Sequence, residues 1–243
     1  MHTIKYGVAA KLLYVKSYGQ RCPLARALDL IGERWTLLVV RELLLGPRRY
    51  TDLLEGLPGV GTNILAARLA DLQDAGLVSK RTLPPPTAVT IYELTDAGRA
   101  LGPSIRELSQ WGEQHGAPAT DRQQIRPSWI LTGLTRRPMR LKAGRSCELR
   151  VGRDVFELNS ADGALSVAAG SAPSPDAVVT IEPKLLYGLA AGRVTSAAAR
   201  KQVEINGDPA LAEQVLAALS GSVAAPASGS HTRARPKRST PSR

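Results

Sequence analysis

Two spacings of apolar residues divide this chain. Between residues 21 and 116 the spacing is mostly helical. Pro23 stands where a helix begins, and Leu24, Ala27, Leu28 and Ile31 give it one apolar face. Trp35 to Leu45 is apolar on nearly every side except at Arg41 and Glu42, which is the pattern of a core helix. Gly46-Pro47 ends that run, and Arg48-Arg49 is expected to open a short helix through Tyr50, Leu53 and Leu54. Leu57-Pro58-Gly59-Val60-Gly61 reads as a turn. Thr62 is expected to cap the next helix, which carries Leu65, Leu69 and Leu72 inward and stops at Gly76. Leu77 to Leu83 and Val89 to Leu94 read as strands around Pro84-Pro85-Pro86. A last helix carries the stripe Leu101, Ile105, Leu108 and Trp111.

Between residues 126 and 220 the apolar period shortens to two. Cys147-Leu149-Val151, Phe156-Leu158, Leu165-Val167 and Val179-Ile181 alternate as half-buried strands do, and Asp162-Gly163 is a hairpin-type turn. Lys184 to Ala191 reads as a helix closed by Gly192, followed by a short strand at Val203-Glu204-Ile205. Asp208 as cap and Pro209 in the first turn then start a helix through Leu211, Val215, Leu216 and Leu219. The fold class expected is α+β: a mostly helical unit with a β-hairpin at 21–116, a link at 117–125 containing Ala117-Pro118-Ala119-Thr120, and a sheet-and-helix unit at 126–220. Residues 1–20 form a leader. Residues 221–243 have almost nothing to bury and are expected to be a disordered basic tail.

The formal net charge of +11 suggests an acidic partner, but its distribution weakens the inference. Residues 1–120 carry 14 basic and 11 acidic groups and residues 121–220 carry 13 and 10, so each stretch contributes +3. The tail has 5 basic groups and no acid, +5 in all. Arg233, Arg235, Lys237 and Arg238 there fit either non-specific sliding on DNA or a solubilising end. Two distant cysteines, Cys22 and Cys147, make no disulfide framework, which favours a cytoplasmic setting. His2, His115 and His231 do not cluster with them, so no metal is expected, and no apolar run reaches the ~20 residues of a membrane span. Phosphate-loop, nucleophile-elbow and C-x-x-C patterns are missing, so neither a cofactor nor enzymatic activity is expected.

Two short helices, a glycine-bearing turn, a further helix and a hairpin describe a winged helix-turn-helix, whose second helix enters the major groove of double-stranded DNA. With Leu65, Leu69 and Leu72 inward, Asn63, Ala66 and Ala67 face out and Arg68 lies near the core boundary. Asp71 and Asp74 on the later turns would repel phosphate, so only the first two turns, from Thr62 to Arg68, are expected to approach DNA. Asn63 suits an adenine edge and the alanines suit thymine methyls. Arg48, Arg49, Thr51, Lys80 and Arg81 are candidate phosphate contacts, with a solvated charged surface as the alternative for the basic ones.

The run from Cys22-Pro23-Leu24 through Glu33-Arg34-Trp35-Thr36 resembles the opening of HxlR-type regulators. So do Arg41-Glu42-Leu43, Gly46-Pro47-Arg48-Arg49-Tyr50, Arg68-Leu69, Gly76-Leu77-Val78 and Tyr92-Glu93-Leu94-Thr95-Asp96-Ala97-Gly98. The resemblance covers residues 21–116 and implies a homodimer joined through the first and last helices, which nominates Leu24, Leu28, Leu101, Ile105, Leu108 and Trp111. Intramolecular packing is the alternative for that stripe. The resemblance also offers Cys22 as a sensor of oxidants or electrophiles, aided by a helix N-terminus with Arg21 and Arg26 nearby; a small core thiol is the alternative. Two departures stand out. The wing tip from Leu83 to Val89 has no basic residue, and Ala66 and Ala67 replace the polar side chains common in relatives.

Residues 126–220 resemble sterol-carrier-protein domains in the order of the Phe156-to-Val167 hairpin, the Asp176-to-Ile181 strand, the Leu185-to-Gly192 helix and Val203-Glu204-Ile205-Asn206-Gly207-Asp208. That likeness implies a site for a hydrophobic small-molecule effector, with Trp129, Phe156, Leu185 and Leu186 as pocket candidates that serve equally well as core. The function expected is a homodimeric DNA-binding transcription regulator, a repressor rather than an activator, modulated by an apolar ligand. The alternative is a lipid-binding or carrier module that keeps a helix-turn-helix for dimerisation.

Overall fold

A computed structural model describes residues 17–86, 88–117, 120, 123–133, 144–161 and 164–221. The leader up to residue 16, residues 118, 119, 121 and 122 of the link, residues 134–143, the Asp162-Gly163 turn and the tail from residue 222 lie outside the described residues. The N-terminal unit runs α1 (Pro23–Ile31), α2 (Thr36–Leu43), β1 (Arg48–Arg49), α3 (Tyr50–Gly56), α4 (Thr62–Asp74), β2 (Val78–Thr82), β3 (Thr90–Leu94), α5 (Asp96–Arg99) and α6 (Gly102–His115). Its core gathers Val39, Val40 and Leu43 of α2, Leu53 of α3, Leu65, Leu69 and Leu72 of α4, and Ile105 of α6.

Local chemistry sets the boundaries. Pro23 occupies the first turn of α1, where its missing N–H is not needed. Trp35 takes φ 79°, a backbone region costly for a large side chain, and this breaks the apolar run before α2. Gly76, at φ 69°, turns the chain out of α4 into β2. Thr95 caps α5 by accepting from the Gly98 N–H at 3.2 Å. α5 is a four-residue turn of helix whose signal is too short to separate from α6 by periodicity.

The order corrects the sequence reading at two places. Arg48-Arg49 does not open a helix but forms β1, which pairs antiparallel with β3, so the wing is three-stranded in the order β1-β3-β2. The helix starts at Tyr50, and the Arg49 N–H donates to the Asp52 carboxylate at 3.0 Å. Thr62 does not cap α4: Gly61 holds the cap position and Thr62 is the first helical residue.

The C-terminal unit runs α7 (Pro127–Thr132), β4 (Ser146–Val151), β5 (Asp154–Ala161), β6 (Ala164–Ala169), β7 (Ala177–Ile181), α8 (Pro183–Ala190), α9 (Ser196–Arg200), β8 (Glu204–Gly207) and α10 (Pro209–Leu219). The strands form one sheet in the order β6-β5-β4-β7-β8, with β4 and β7 parallel and the other pairs antiparallel. Register places Cys147, Leu149, Val151, Phe156, Leu158, Val167, Val179 and Ile181 on one face, all buried beneath Leu186 and Leu189 of α8 and Leu211, Val215 and Leu219 of α10. Asp208 caps α10 as expected, accepting from the N–H groups of Ala210 and Leu211 at 2.8 and 3.3 Å. Short α7 and α9 escape a periodicity reading because neither spans two full turns.

One core residue crosses between the units. Leu45, just past α2, is 2% exposed and belongs to the core of the C-terminal unit. Its carbonyl accepts from the Ala169 N–H at the end of β6, at 2.8 Å.

Candidate nucleic-acid interface

The helix-turn-helix is α3, the turn Leu57–Gly61, and α4. Leu65, Leu69 and Leu72 seat α4 on the core, and that leaves Thr62, Asn63, Ala66 and Ala67 exposed together on its first two turns. The Tyr50 hydroxyl donates to the Thr62 carbonyl at 2.7 Å, so the start of α3 fixes the start of the helix that would enter the groove. Tyr50 was legible only as an apolar position; nothing in its spacing discloses the hydroxyl bond across twelve residues.

Arg68 is mostly covered and ion-paired. Its guanidinium lies 3.4 Å from Glu33 and 3.1 Å from Asp71, with the side chain 18% exposed. It ties α4 back to the end of α1, and Ala67 is the last fully exposed candidate on the helix. Thr51 is exposed on the first turn of α3.

Strand pairing sorts the basic candidates into two rows. Arg48 and Lys80 flank Tyr92 in register, and Arg49 and Arg81 flank Ile91. Residues opposite one another share a sheet face, so the four cations lie on two faces rather than in one clamp. The Lys80 ammonium sits 5.9 Å from the Tyr92 ring centre. Arg81 Nε bonds Glu93 at 2.9 Å, which neutralises part of its pull on phosphate. Arg49 is exposed and Arg48 half-buried.

The predicted dimer stripe divides as well. Leu24 (66% exposed), Leu28 (38%), Leu108 (53%) and Trp111 (62%) stand in solvent. Ile105 is buried in the core of the N-terminal unit and Leu101 packs half-buried against it. Ile105 therefore holds α6 to its own chain and is corrected from interface to core, while Leu101 keeps part of its surface open.

Cys22 is exposed at the cap position of α1 and Cys147 is buried. Burial, reinforced by the charge of neighbouring Glu148, pushes the Cys147 thiol up to about 12. Phe156 and Leu186 are sealed in the C-terminal core and Leu185 packs half-buried against it. Trp129 is not with them: its indole N–H donates at 2.9 Å to Glu42 of α2, in the other unit. A depression of about 370 Å³ lined by Ser196, Ala197, Arg200, Lys201, Glu213 and Leu216 opens elsewhere on the C-terminal unit and touches none of the four pocket candidates. Among the described residues there is no group of three or more metal-ligating side chains, and no helix is long and apolar enough to cross a membrane.

Comparison with known proteins agrees with this architecture. Residues 30–120 match the HxlR-like helix-turn-helix family and residues 141–220 match the SCP-2 sterol transfer family. The HTH-type transcriptional regulator YvaP of Bacillus subtilis (strain 168) is 38% identical over 97 residues, 39% of this chain and 89% of that protein. The HTH-type transcriptional regulator YodB of the same organism is 34% identical over 98 residues, 40% of this chain and 88% of its own. The solved structure of reduced YodB is 32% identical and covers 42% of this chain and 100% of its own, with a TM-score of 0.37. The chain belongs to the HxlR-like helix-turn-helix family of DNA-binding transcription regulators and carries an SCP-2-type sheet unit behind its winged helix.

Proposed function

We propose that the protein acts as a homodimer, with α1 and α6 of two copies packed together so that two α4 helices read two half-sites. The observation that carries this is the exposed stripe of Leu24, Leu28, Leu108 and Trp111. With Leu30 of α1, which is 52% exposed, five large apolar side chains are left in water on the first and last helices of a small unit, and they mark a surface meant to be covered. Dimeric reading also suits α4, because Asn63 and two alanines offer few base contacts per half-site and a second copy doubles them. In this reading the protein represses by occupying its operator, Asn63 selects sequence, and Arg48, Arg49, Thr51 and Lys80 hold phosphates.

The SCP-2 match supports an apolar effector as the ligand class for the C-terminal unit. Such a ligand has to open the packed core around Phe156 and Leu186, since both are closed to solvent. Native mass spectrometry of freshly purified protein tests this through a co-purified lipid adduct.

For the dimer, Trp111→Glu should shift sedimentation from dimer to monomer and weaken operator binding. A wild-type monomer at micromolar concentration refutes the proposal. On the protein's own upstream DNA, Asn63→Ala should relax base preference, with a cost of about 1–3 kcal/mol at one position, while Arg49→Ala weakens all sequences alike. If footprinting finds no salt-dependent, sequence-preferring protection, the carrier-module alternative gains instead.

A further inference from the structure

Glu42 is a carboxylate on the core-facing helix α2, only 6% exposed. Its Oε1 accepts from Arg41 Nε at 3.1 Å, from Arg41 Nη2 at 2.7 Å and from the indole Nε1–H of Trp129 at 2.9 Å. Trp129 belongs to α7, so this bond spans 87 residues and joins the two units. The Trp129 ring is attended by two cations, with the Arg41 guanidinium 4.6 Å and the Arg126 guanidinium 6.0 Å from its centre. The second oxygen of Glu42 faces the end of α3, where a Cβ on Gly56 would lie only 2.6 Å from it. One buried carboxylate therefore meets α2, the last residue of α3 and α7. Helix α3 is the first helix of the helix-turn-helix, and α2 packs directly on α3, α4 and α6.

A buried carboxylate that loses a partner keeps the desolvation cost of the unmatched lone pair, so the state with Trp129 in place and the state without it differ in how firmly α2 and α3 are braced. We propose that the Glu42–Trp129 hydrogen bond is a latch through which the C-terminal unit sets the DNA affinity of the winged helix. The proposal rests on the reading of α4 as the DNA-contacting helix. In the latched state, Glu42 fixes the end of α3 against α2 and so fixes the turn that presents α4. An effector that moves α7 releases the brace, and it regulates to the extent that it binds the unlatched state more tightly than the latched one.

The test uses the full chain. Trp129→Phe keeps a ring over Arg41 and removes the donor. Glu42→Gln keeps an acceptor for Trp129 and removes the charge that holds Arg41. Hydrogen exchange of α7 and α2 reads the latch, and fluorescence anisotropy on the upstream DNA, with and without unrelated competitor DNA, reads affinity. Trp129→Phe should speed exchange in α7 and weaken specific binding at least fivefold, within the ~5–150-fold span of coupling between sites. Glu42→Gln should fall between it and wild type, and carries the comparison if the Phe variant does not fold. Faster exchange with unchanged affinity overturns the coupling, and unchanged exchange overturns the latch. Wild-type protein that shows no sequence preference overturns the DNA reading of α4 and the proposal with it, whereas wild-type preference matched by Trp129→Phe overturns the latch alone.

Discussion

Replacing Leu45 by alanine should destabilise the C-terminal unit, although the residue lies in the N-terminal third of the chain. Leu45 is 2% exposed and its side chain packs in the same core as Leu131, Phe156 and Leu186. Truncation deletes three buried carbons and leaves a cavity that the sheet closes only in part, which costs about 2–5 kcal/mol. The main-chain bond from Ala169 to the Leu45 carbonyl stays available, so the loss is one of packing. At the low end of that range, the transition of a unit of roughly 80–100 residues drops by about 8–16 °C. Calorimetry gives the shift, and hydrogen exchange locates it. Protection should fall in β5 and β6 while α4 keeps most of its own. A shift under about 2 °C, or protection lost from α4 with β5 and β6 unchanged, refutes the assignment of Leu45 to the distant core.

Thiol labelling of native protein at pH 8 should modify one cysteine per chain, exposed Cys22, because burial pushes Cys147 up to about 12; the second should react only on unfolding, and rapid native double labelling contradicts the buried placement. Arg145 bonds Asp176 Oδ1 at 3.0 Å and Asp208 Oδ2 at 2.7 Å, clasping the ends of β4, β7 and α10. The Ser146 N–H and then Arg145 hold Asp176 below its ordinary 3.8, while Arg145 and then the N–H groups of Leu211 and Ala210 hold Asp208 below the same value. Folded values below the unfolded one mean that the clasp contributes fully above the ordinary carboxylate range and is lost as pH falls through the folded values. The gap in melting temperature between wild type and Arg145→Met should therefore be level above about pH 5 and close in stronger acid; a gap independent of pH counts against the clasp.

What the sequence determined by itself is what local chemistry and period record. Pro23, Gly76 and Asp208 mark element ends because proline, positive φ and a capping carboxylate act within a turn of their own position. Leu65, Leu69 and Leu72 define the inner face of α4, and so the exposed quartet opposite, because helical geometry alone relates them. The alternating strands of the C-terminal unit are legible for the same reason, with period two in place of 3.6. Tertiary structure decided everything that depends on a partner distant in sequence. It turned Arg48-Arg49 into a strand, because β3 supplies hydrogen bonds that outweigh a weak helical start. It set Arg68 against Glu33 and Arg81 against Glu93, which gives two of the candidate cations an acidic partner within the chain. It parted Ile105 from Leu108 on one stripe, since α6 has a neighbour on one side of that stripe and none on the other among the described residues. It also carried Trp129 out of the predicted pocket to Glu42, a pairing across 87 residues that no window of sequence contains. Periodicity reports which side of an element is buried; only packing determines what buries it.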